Sequence, residues 1–466
     1  MFEEVFDVIV VGSGFAGLSA AIEARLAGCN VLVIEKMRVP GGNSAISAGM
    51  TAVAASPLQA SANIVDSPTR LANDMLAAGK GLNDPSLLKV VTDESTNALL
   101  WMQDYLGITF NGSLLHGGGH SVPRVYSIAS SLGGGASIVQ AMLVKCRELG
   151  ISVRMRCALE NLIQDENGRV IGVDVANNHT FPKNDSGNRE TLKAERAVIL
   201  ACGGFSQDVG FRMTQDPRLN SDFETTNHPG ATAEALVIAL KAGATPVHLS
   251  WIQLGPWTSP DEKGFGVGAL FGVCIGFPHG ILVDAATGKR FINELTDRLS
   301  RTQHMSMAGR IPILIVGGEA ALQYRYLRQC LKRSVVKQFD SIDELAQNQS
   351  IGKDTLQRTI DTYNNSVRTG TDSELGKPLT SQKRFTVSPP FFVMRLRPKL
   401  HYCNGGIQIN TRAQVLEIET HEAIPGLYAA GEMTGGINGA SRIAGMATTE
   451  CVVFGRIAGA NGAKEN

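Results

Sequence analysis

A Gly-x-Gly-x-x-Gly motif lies close to the amino terminus, in the segment Gly12-Ser13-Gly14-Phe15-Ala16-Gly17. Glycines at this spacing let the backbone turn tightly and approach a pyrophosphate, and a helix that starts there offers free N–H groups to phosphates. Glu35 stands 18 residues after Gly17, where its carboxylate can accept hydrogen bonds from a ribose diol. The motif and the acid together predict the binding of a dinucleotide.

The elements that must position these residues are also visible in the sequence. The β-branched run Phe6–Val11 is typical of a buried parallel strand. We expect a helix over residues 15–26 with Gly28 as its stop, and a second strand at Val31–Ile34 that ends at Glu35. Strand, helix, strand and terminal acid in this order predict a Rossmann-like domain.

Further glycine turns favour FAD over a nicotinamide cofactor. Lys36 precedes the turn Pro40-Gly41-Gly42-Asn43-Ser44, and two later strands run into turns at Ala201-Cys202-Gly203-Gly204 and Gly431-Glu432. A flavin dinucleotide is a long ligand, and several such turns at the carboxyl ends of strands suit it. The sequence shows no second strand–Gly-x-Gly-x-x-Gly–helix unit. We therefore predict FAD without a separate NAD(P) domain.

Composition excludes several other classes of protein. The 43 Lys+Arg balance 43 Asp+Glu, so a non-specific nucleic-acid or anionic-membrane partner is not expected. The eight cysteines show neither zinc-type spacing nor a haem-attachment motif, and we predict no metal site. No apolar run reaches the ~18 residues of a membrane span, and no signal peptide is visible. A cytoplasmic location without a membrane partner is the expectation.

Five segments together resemble the succinate dehydrogenase/fumarate reductase flavoprotein family. The likeness covers nearly the whole chain and is nearest to the soluble, flavocytochrome-type fumarate reductases, without their haem domain. The segments are Gly12–Gly17, Gly41–Ser44, Asn227-His228-Pro229-Gly230-Ala231-Thr232, His401-Tyr402-Cys403-Asn404-Gly405-Gly406 and Gly431-Glu432-Met433-Thr434-Gly435-Gly436-Ile437-Asn438-Gly439-Ala440-Ser441-Arg442.

The resemblance implies an α/β fold in which a Rossmann-like FAD-binding domain carries an inserted α+β capping domain. By matching, residues 1–250 and 397–466 form the two parts of the FAD-binding domain, and residues 251–396 form the capping (substrate) domain. Apolar residues at helical spacing, namely Leu356, Ile360, Tyr363 and Val367, support a packed unit within that insertion.

The family reaction transfers a hydride between flavin N5 and one carbon of an activated C=C bond, and a proton reaches the neighbouring carbon. Matching residue by residue, Arg442 corresponds to the arginine that clamps the substrate carboxylate, His401 to the substrate-binding histidine and Arg298 to the proton donor. The residues that we assign to the cofactor are Gly12, Ser13, Gly14, Ala16, Gly17, Glu35, Lys36, Gly41, Gly42, Asn43, Ser44, Ala201, Gly203, Thr232, Glu432 and Ser441.

One departure from the family pattern concerns the substrate. Fumarate reductases carry Gln-x-His-Pro-Thr where this chain has Gln253-Leu254-Gly255-Pro256-Trp257-Thr258, so that glycine replaces the histidine that holds a second carboxylate. The family's Thr-Glu pair also has no clear counterpart, and the nearest stretch, Ala269–Phe277, is apolar. We expect a monocarboxylate enoate with an apolar group, or else a ring enone. The candidate apolar contacts are Trp251, Trp257, Phe271 and Phe277.

Two other functions remain open at this point. An enone or 3-ketosteroid-type dehydrogenase has the same fold but does not need Arg442. A fumarate reductase/succinate dehydrogenase-like flavoprotein subunit would act within an electron-transfer complex. The sequence does not name the electron donor. His120 and Arg124 are further candidates for the pocket, and the glycine triplets at 117–119 and 133–135 have no assigned role.

Overall fold

The computed structural model describes residues 2–129, 133–183, 186–379 and 384–465. The strands are β1 (Glu4–Val11), β2 (Val31–Glu35), β3 (Thr51–Ala52), β4 (Val125–Tyr126), β5 (Ser152–Met155), β6 (Cys157–Gln164), β7 (Val170–Asn177), β8 (Asn188–Leu200), β9 (Pro246–Val247), β10 (Ile252–Gly255), β11 (Ile281–Asp284), β12 (Lys289–Arg290), β13 (Pro312–Gly317), β14 (Val336–Phe339), β15 (Phe391–Arg395), β16 (Lys399–Cys403), β17 (Gly406–Ile407), β18 (Gln414–Leu416) and β19 (Ala423–Ala429).

The helices are α1 (Phe15–Leu26), α2 (Gly42–Ile46), α3 (Pro57–Ser61), α4 (Pro68–Ala78), α5 (Pro85–Asp93), α6 (Ser95–Leu100), α7 (Gly134–Glu148), α8 (Val209–Gln215), α9 (Glu234–Lys241), α10 (Gly268–Phe271), α11 (Phe277–His279), α12 (Arg298–Met305), α13 (Gly318–Ala321), α14 (Leu327–Lys332), α15 (Ile342–Gln349), α16 (Lys353–Thr369) and α17 (Met446–Gly462). Short π-helical segments lie at Trp101–Tyr105 and Gly272–Gly276, and a 3-10 turn lies at Gly431–Met433. None of the helices in the described ranges is long and apolar enough to cross a membrane.

The larger sheet has eight strands, in the order β18-β19-β8-β1-β2-β5, and the β6–β7 pair joins it along the first half of β8. Strands β19, β8, β1, β2 and β5 run parallel to one another, whereas β18 and β7 pair antiparallel with β19 and β8. Helices α1 and α17 pack together, and Val8, Ile9 and Val10 of β1 are fully buried. Burial on both faces explains why β1 is an unbroken apolar run. The predicted first unit is confirmed, and α1 has the predicted bounds.

A second, antiparallel sheet has the order β12-β11-β13-β15-β14. Successive residues of β13 point to opposite faces, so Leu314 packs with one apolar core and Ile315 with another. Helix α16 covers the second core with Leu356, Ile360, Tyr363 and Val367, as their spacing predicts. The molecule thus has the predicted α/β architecture, a Rossmann-like parallel sheet with an α+β capping unit.

Strands β10 and β16 form a two-stranded antiparallel ladder near the ends of the predicted insertion. Gln253 of β10 pairs with Tyr402 of β16, so the chain enters and leaves the capping unit side by side. The domain bounds at residues 251 and 396 stay a prediction.

Candidate active site

The amino-terminal glycine turn packs between β1, α1 and β8. Gly12 has a φ of +107°, and a Cβ atom there would lie 2.4 Å from the carbonyl oxygen of Ala201. A Cβ on Gly17 would lie 1.9 Å from the carbonyl oxygen of Gly12. Because real Cβ contacts are never this short, glycine is required at both positions for the helix and the two strands to meet. Gly14 is the N-cap of α1, and the Phe15 N–H donates to Ser44 Oγ at 3.0 Å.

A cavity of about 990 Å³, partly open to solvent, lies over this turn. Of the sixteen predicted cofactor residues, all except Gly17 and Ser441 line it. Gly17 instead fills the helix–strand contact, and Ser441 Oγ lies 3.4 Å from the Leu299 nitrogen and 3.5 Å from Gln253 Oε1, at the junction with α12. The hydroxyl of Ser441 is thus used between α12 and β10, and the assignment of Ser441 to the cofactor stays a prediction.

Charged side chains of the cavity are held in place by their neighbours. One carboxylate oxygen of Glu35 accepts from the backbone N–H and the hydroxyl of Ser13, at 3.1 and 2.6 Å, and the other accepts from the Met37 N–H at 2.9 Å. The Lys36 ammonium donates to Thr232 and, at 2.7 Å, to Glu234. The carboxylate of Glu35 keeps acceptor capacity, because two such oxygens offer about four lone-pair sites.

The backbone of the cavity fits a long dinucleotide such as FAD. A Cβ atom added to Gly42 or Gly203 would meet no described protein atom within 4 Å, so both glycines face open space. A second cavity, of about 930 Å³, shares Asn43, Ser44 and Glu432 with the first. The two cavities therefore form one elongated space along the carboxyl ends of β1 and β2, where open α/β sheets bind ligands.

The second cavity brings together the three predicted catalytic residues, which come from three different elements. Arg298 begins α12, His401 lies on β16, and Arg442 lies in the loop before α17. The N-cap of α12 is Asp297, whose carboxylate accepts the Ser300 N–H at 2.9 Å. An acidic cap of this kind fixes the first turn of the helix that carries Arg298.

Arg298 is a buried cation whose donors are incompletely used. Its guanidinium lies 4.4 Å above the ring of Trp257, and its side chain is enclosed on all sides. Within the described part of the chain, its Nη1 has no hydrogen-bond partner. Burial, with the nearby charges of Arg442 and Arg301, holds the pKa of Arg298 well below its usual value. A lowered pKa makes this guanidinium a stronger acid than a free arginine.

Arg442 has a similar setting. Its guanidinium lies 4.2 Å above the ring of Tyr402, Nη1 donates weakly to the Ile443 carbonyl at 3.3 Å, and Nε has no partner in the described ranges. The backbone N–H of Arg442 donates to Gln253 Oε1 at 2.7 Å. Gln253 Nε2 and Trp257 Nε1 are also buried donors without a described acceptor. Buried donors normally have partners, so this group indicates a site for an acceptor-rich anion such as a carboxylate.

His401 lies between the two arginines and the aromatic wall. Its Nδ1 is 2.8 Å from Thr226 Oγ1, and its ring meets that of Trp257 edge to face at 4.8 Å. Burial and the charges of Arg442 and Arg298 hold the pKa of His401 well below its usual range. The ring is therefore neutral at physiological pH and serves as a hydrogen-bonding group of the site, not as a third cation.

The apolar wall of this cavity differs in part from the prediction. Trp257 lines it, together with Phe265, Leu270 and Val273. Trp251, Phe271 and Phe277 do not line it, and Phe271 and Phe277 pack in the capping core instead. Their placement follows from the helical turns of residues 268–279, which direct Leu270 and Val273 toward the cavity and Phe271 and Phe277 toward the core.

Gly255 explains how Trp257 reaches the site. A Cβ atom at residue 255 would lie 3.2 Å from Trp257 Cζ2 and 3.4 Å from His401 Cβ. The indole thus occupies the space that a longer side chain at residue 255 would need. The histidine expected there in fumarate reductases would displace the indole. The position of the Trp257 side chain therefore depends on the glycine at residue 255.

Two buried carboxyl groups lie behind the arginines. Glu432 lines both cavities and accepts the Cys403 N–H at 2.9 Å, and burial raises the pKa of Glu432 to about 7. Glu450 accepts from the Tyr402 hydroxyl and, at 2.6 Å, from Asn438. Burial raises the pKa of Glu450 as well.

Glu432 is expected to make the stability of the FAD-free protein depend on pH. Its folded-state pKa of about 7 lies above the value of 4.5 for an unperturbed glutamate, so the folded state binds the proton more tightly. The stabilisation is complete below pH ~4.5 and is lost as pH rises through ~7, by up to about 3 kcal/mol. Chemical unfolding at several pH values should show this loss in the wild type and not in Glu432→Gln. Parallel pH curves for the two proteins would contradict it.

His120 and Arg124 do not line the cavity, and that expectation was wrong. Arg124 is fully buried and paired with Asp66 at 2.8 Å and Asp74 at 2.6 Å. Gly134 and Gly135 of the second glycine triplet pack against the segment 47–49, where the Gly135 N–H donates to the Ser47 carbonyl at 3.1 Å. The Arg124 ion pairs and the packing of the second glycine triplet thus stabilise segments next to the site and do not line the second cavity.

Several lining residues were missed by the sequence analysis. Ala158 and Leu159 of β6 close the first cavity, and Thr226 and Phe265 line the second. No motif marks them, because Ala158 and Leu159 lie on β6, Thr226 lies in the loop between α8 and α9, and Phe265 lies in the capping unit. Tyr402 was within a quoted segment, and its position beside His401 was a usable signal.

The fold and the site define a two-part flavoprotein, in which a dinucleotide cavity opens onto a cationic pocket beneath a capping unit. Residues 7–447 match the family model described as FAD binding domain. The acrylate reductase flavoprotein subunit of Shewanella woodyi is 42% identical over 464 residues, which cover 98% of this chain and 91% of the relative.

Two solved structures are also similar. A flavocytochrome c3 fumarate reductase in an open conformation is 28% identical, with a TM-score of 0.74 over 99% of this chain and 79% of that one. A 3-ketosteroid-Δ4-(5α)-dehydrogenase of Rhodococcus jostii, at 23% identity and a TM-score of 0.76 over 100% and 98% of the two chains, shares the fold. The chain belongs to the FAD-binding flavoproteins of the succinate dehydrogenase/fumarate reductase family. It is an FAD-dependent oxidoreductase, and its reaction is the reduction of activated C=C bonds.

Proposed function

We propose that the protein reduces an α,β-unsaturated monocarboxylate whose remaining part is apolar. The observation that carries the proposal is the polarity of the second cavity. Arg298 and Arg442, whose Nη1 and Nε donors respectively have no partner among the described residues, line this cavity together with the apolar side chains of Trp257, Phe265 and Leu270. A single carboxylate matches the donors, and the apolar remainder matches the wall.

The first cavity supplies the cofactor contacts in this proposal. Ser13, Gly14 and Ala16 lie at the start of α1, where backbone N–H groups favour the pyrophosphate. Glu35 would hold the adenosine ribose, Gly41, Gly42 and Gly203 line the first cavity, and Asn43, Ser44 and Glu432 line both cavities. Bound FAD supplies a hydride at its N5 to one carbon of the double bond.

Residues of this chain supply binding and the proton. The planar fork of Arg442 can hold both oxygens of a carboxylate, and neutral His401 adds a hydrogen bond without further charge. Negative charge develops on the carbon beside the carboxylate, and the two cations stabilise it. Arg298 then donates its proton to that carbon, which leaves one new C–H bond at each end of the former double bond. Its lowered pKa favours the donation.

A second carboxylate does not suit this cavity. The place that a histidine would take at residue 255 is filled by the indole of Trp257. Transfer of a charged carboxylate to such surroundings without a partner costs several kcal/mol. The relative with 42% identity is a reductase of acrylate, a monocarboxylate, which supports the same substrate class. Fumarate is accordingly a poor substrate in this proposal.

An anaerobic reoxidation experiment tests the function. The flavin of the purified protein is reduced chemically, and its reoxidation is followed after addition of acrylate, cinnamate, urocanate, fumarate or a steroid enone. We expect acrylate or an apolar-substituted acrylate to reoxidise it at least ~100-fold more efficiently than fumarate, about 3 kcal/mol in transition-state stabilisation. Efficient turnover of fumarate would contradict the monocarboxylate assignment. Reduction of the oxidised flavin by a saturated ketone, with no enoate active, would favour the dehydrogenase alternative.

Gly14→Val is expected to prevent FAD binding while the protein still folds. Gly14 has an ordinary φ of −77°, and its Cβ would lie 3.1 Å from Ser44 Oγ at the wall of the first cavity. The valine therefore adds bulk where the pyrophosphate should lie, without backbone strain. Flavin content after purification should fall to below about a tenth of wild type, while the circular dichroism spectrum stays unchanged. The matched control, Gly112→Ala, places its methyl group in open space and should retain the flavin.

A further inference from the structure

The first glycine triplet lies between the two segments that carry the arginines. The Gly119 N–H donates to the carbonyl of Leu295 at 3.0 Å, three residues before Arg298. The carbonyl of Gly118 accepts the N–H of Ala444, two residues after Arg442, at 3.4 Å. A single loop therefore has a hydrogen bond to each of the two segments.

Side chains added at these positions would press on both segments. A Cβ on Gly118 would lie 2.4 Å from Arg301 Nη2 and 3.1 Å from the Thr296 carbonyl oxygen. A Cβ on Gly119 would lie 2.5 Å from Cγ2 of Ile443. The loop is thus in van der Waals contact with α12 on one side and with the Arg442 segment on the other.

His120 fixes the same loop from behind. Its Nε2 lies 2.7 Å from the Ala444 carbonyl oxygen, and its Nδ1 lies 3.3 Å from Nη1 of Arg124. Burial and the charge of Arg124 hold the pKa of His120 well below its usual range, so the ring is neutral. A neutral ring that donates from Nε2 to Ala444 accepts at Nδ1 from Arg124, whose guanidinium is itself held by the Asp66 carboxylate at 2.8 Å.

The two arginines need such a fixed connection. The charge of Arg442 disfavours the charged state of Arg298, and no carboxylate among the described residues forms an ion pair with either arginine. Like charges in a buried site repel one another. Their segments also belong to different units of the fold, since Arg298 lies in the capping sequence and Arg442 precedes α17.

We propose that the loop from Gly117 to His120 is a positioning element, which sets the distance between Arg298 and Arg442 and so aligns the proton donor with the clamped carboxylate. Gly118 and His120 are its positioning residues. This inference rests on the proposed function, because it takes the roles of the two arginines from there. A shift of about 1 Å between catalytic groups can lower a rate by roughly 100-fold.

The test compares Gly118→Ala with Gly112→Ala, whose methyl group meets no protein atom within 4 Å. In Gly118→Ala we expect kcat for acrylate to fall about 10- to 100-fold, while KM, flavin content and melting temperature stay close to wild type. Each arginine keeps its own aromatic contact, which is why KM is expected to change little. A purely structural role would instead lower the melting temperature and the flavin content, and that result would overturn the inference.

Rescue gives a sharper readout. Arg301→Lys removes the Nη2 atom that the new methyl group would meet. Gly118→Ala should therefore lower kcat much less in the Arg301→Lys background than in the wild type. Equal losses in both backgrounds would overturn the inference.

A second pair of variants avoids reliance on Gly118. His120→Gln keeps a donor in the place of Nε2 and should retain kcat, whereas His120→Leu should lose it as Gly118→Ala does. If His120→Leu and Gly118→Ala are fully active and Arg298→Gln is inactive, the inference about the loop is refuted and the proposed function stands. Full activity of Arg298→Gln itself would refute the proposed function on which the inference rests.

Discussion

Arg298→Gln is expected to lower the rate of substrate reduction by 10³-fold or more while FAD stays bound. The side chain is buried over Trp257, lines the second cavity and has an Nη1 without a hydrogen-bond partner among the described residues. Glutamine retains hydrogen-bonding capacity, but its amide is far too weak an acid to transfer a proton, so the loss reports general acid catalysis, which contributes about 10²–10⁴-fold in enzymes. The measurement is the reoxidation rate of the reduced flavin by acrylate in a stopped-flow instrument.

Arg298→Lys is the matched control for charge. Lysine restores a cation and a proton, and the burial that lowers the pKa of Arg298 would lower that of a lysine in the same place. We expect partial activity that is lost above a lower pH than in the wild type, because a buried lysine releases its proton earlier. Arg298→Gln turning over at more than a tenth of the wild-type rate would assign the proton to another donor.

The second large effect is expected at Arg442. Arg442→Met keeps the apolar bulk above Tyr402 but removes the fork that faces the cavity. Loss of a buried, charge-assisted contact of this kind costs about 2–5 kcal/mol, or roughly 30- to 5,000-fold in kcat/KM for acrylate. Arg442→Lys should recover only part of the loss, since an ammonium cannot bind both carboxylate oxygens in one plane.

A neutral substrate separates binding from folding defects in that experiment. Acrylamide has the shape of acrylate without the charge, so wild type should favour acrylate strongly and Arg442→Met should lose most of this preference. Flavin content and melting temperature serve as controls for folding. An unchanged acrylate-to-acrylamide ratio would show that Arg442 does not hold the carboxylate.

The cofactor part of the protein could be predicted largely from the sequence, because its signals are local. Gly12, Gly14 and Gly17 carry distinct backbone requirements, and Glu35 follows at the end of the next strand. Such a turn has few alternatives, so residue type and spacing determine the geometry. Ser441 was less predictable, because its hydroxyl contacts the first turn of α12 and not the first cavity.

The substrate part was less predictable, since its geometry depends on contacts distant in sequence. Trp257, Phe271 and Phe277 are equally aromatic, yet only the first reaches the second cavity. The direction of the helical turns in the capping unit and the absence of a side chain at Gly255 determine which aromatic ring reaches the cavity. The proposed role of Gly118 was hidden for the same reason, because Arg301 and Ala444, which contact it, are both distant from it in the sequence.

The β10–β16 ladder has a consequence for how such enzymes diversify. Gly255 pairs with Lys399 and Ile252 with Cys403, so the capping segment is an insertion between the two paired strands β10 and β16. A segment whose ends are adjacent can be lengthened or exchanged without a change in the framework that it leaves. The residues of the first cavity belong to the framework, whereas Trp257 and Arg298 belong to the inserted segment. Part of the substrate site, including the proton donor, can therefore change in evolution while the flavin-binding framework keeps His401 and Arg442.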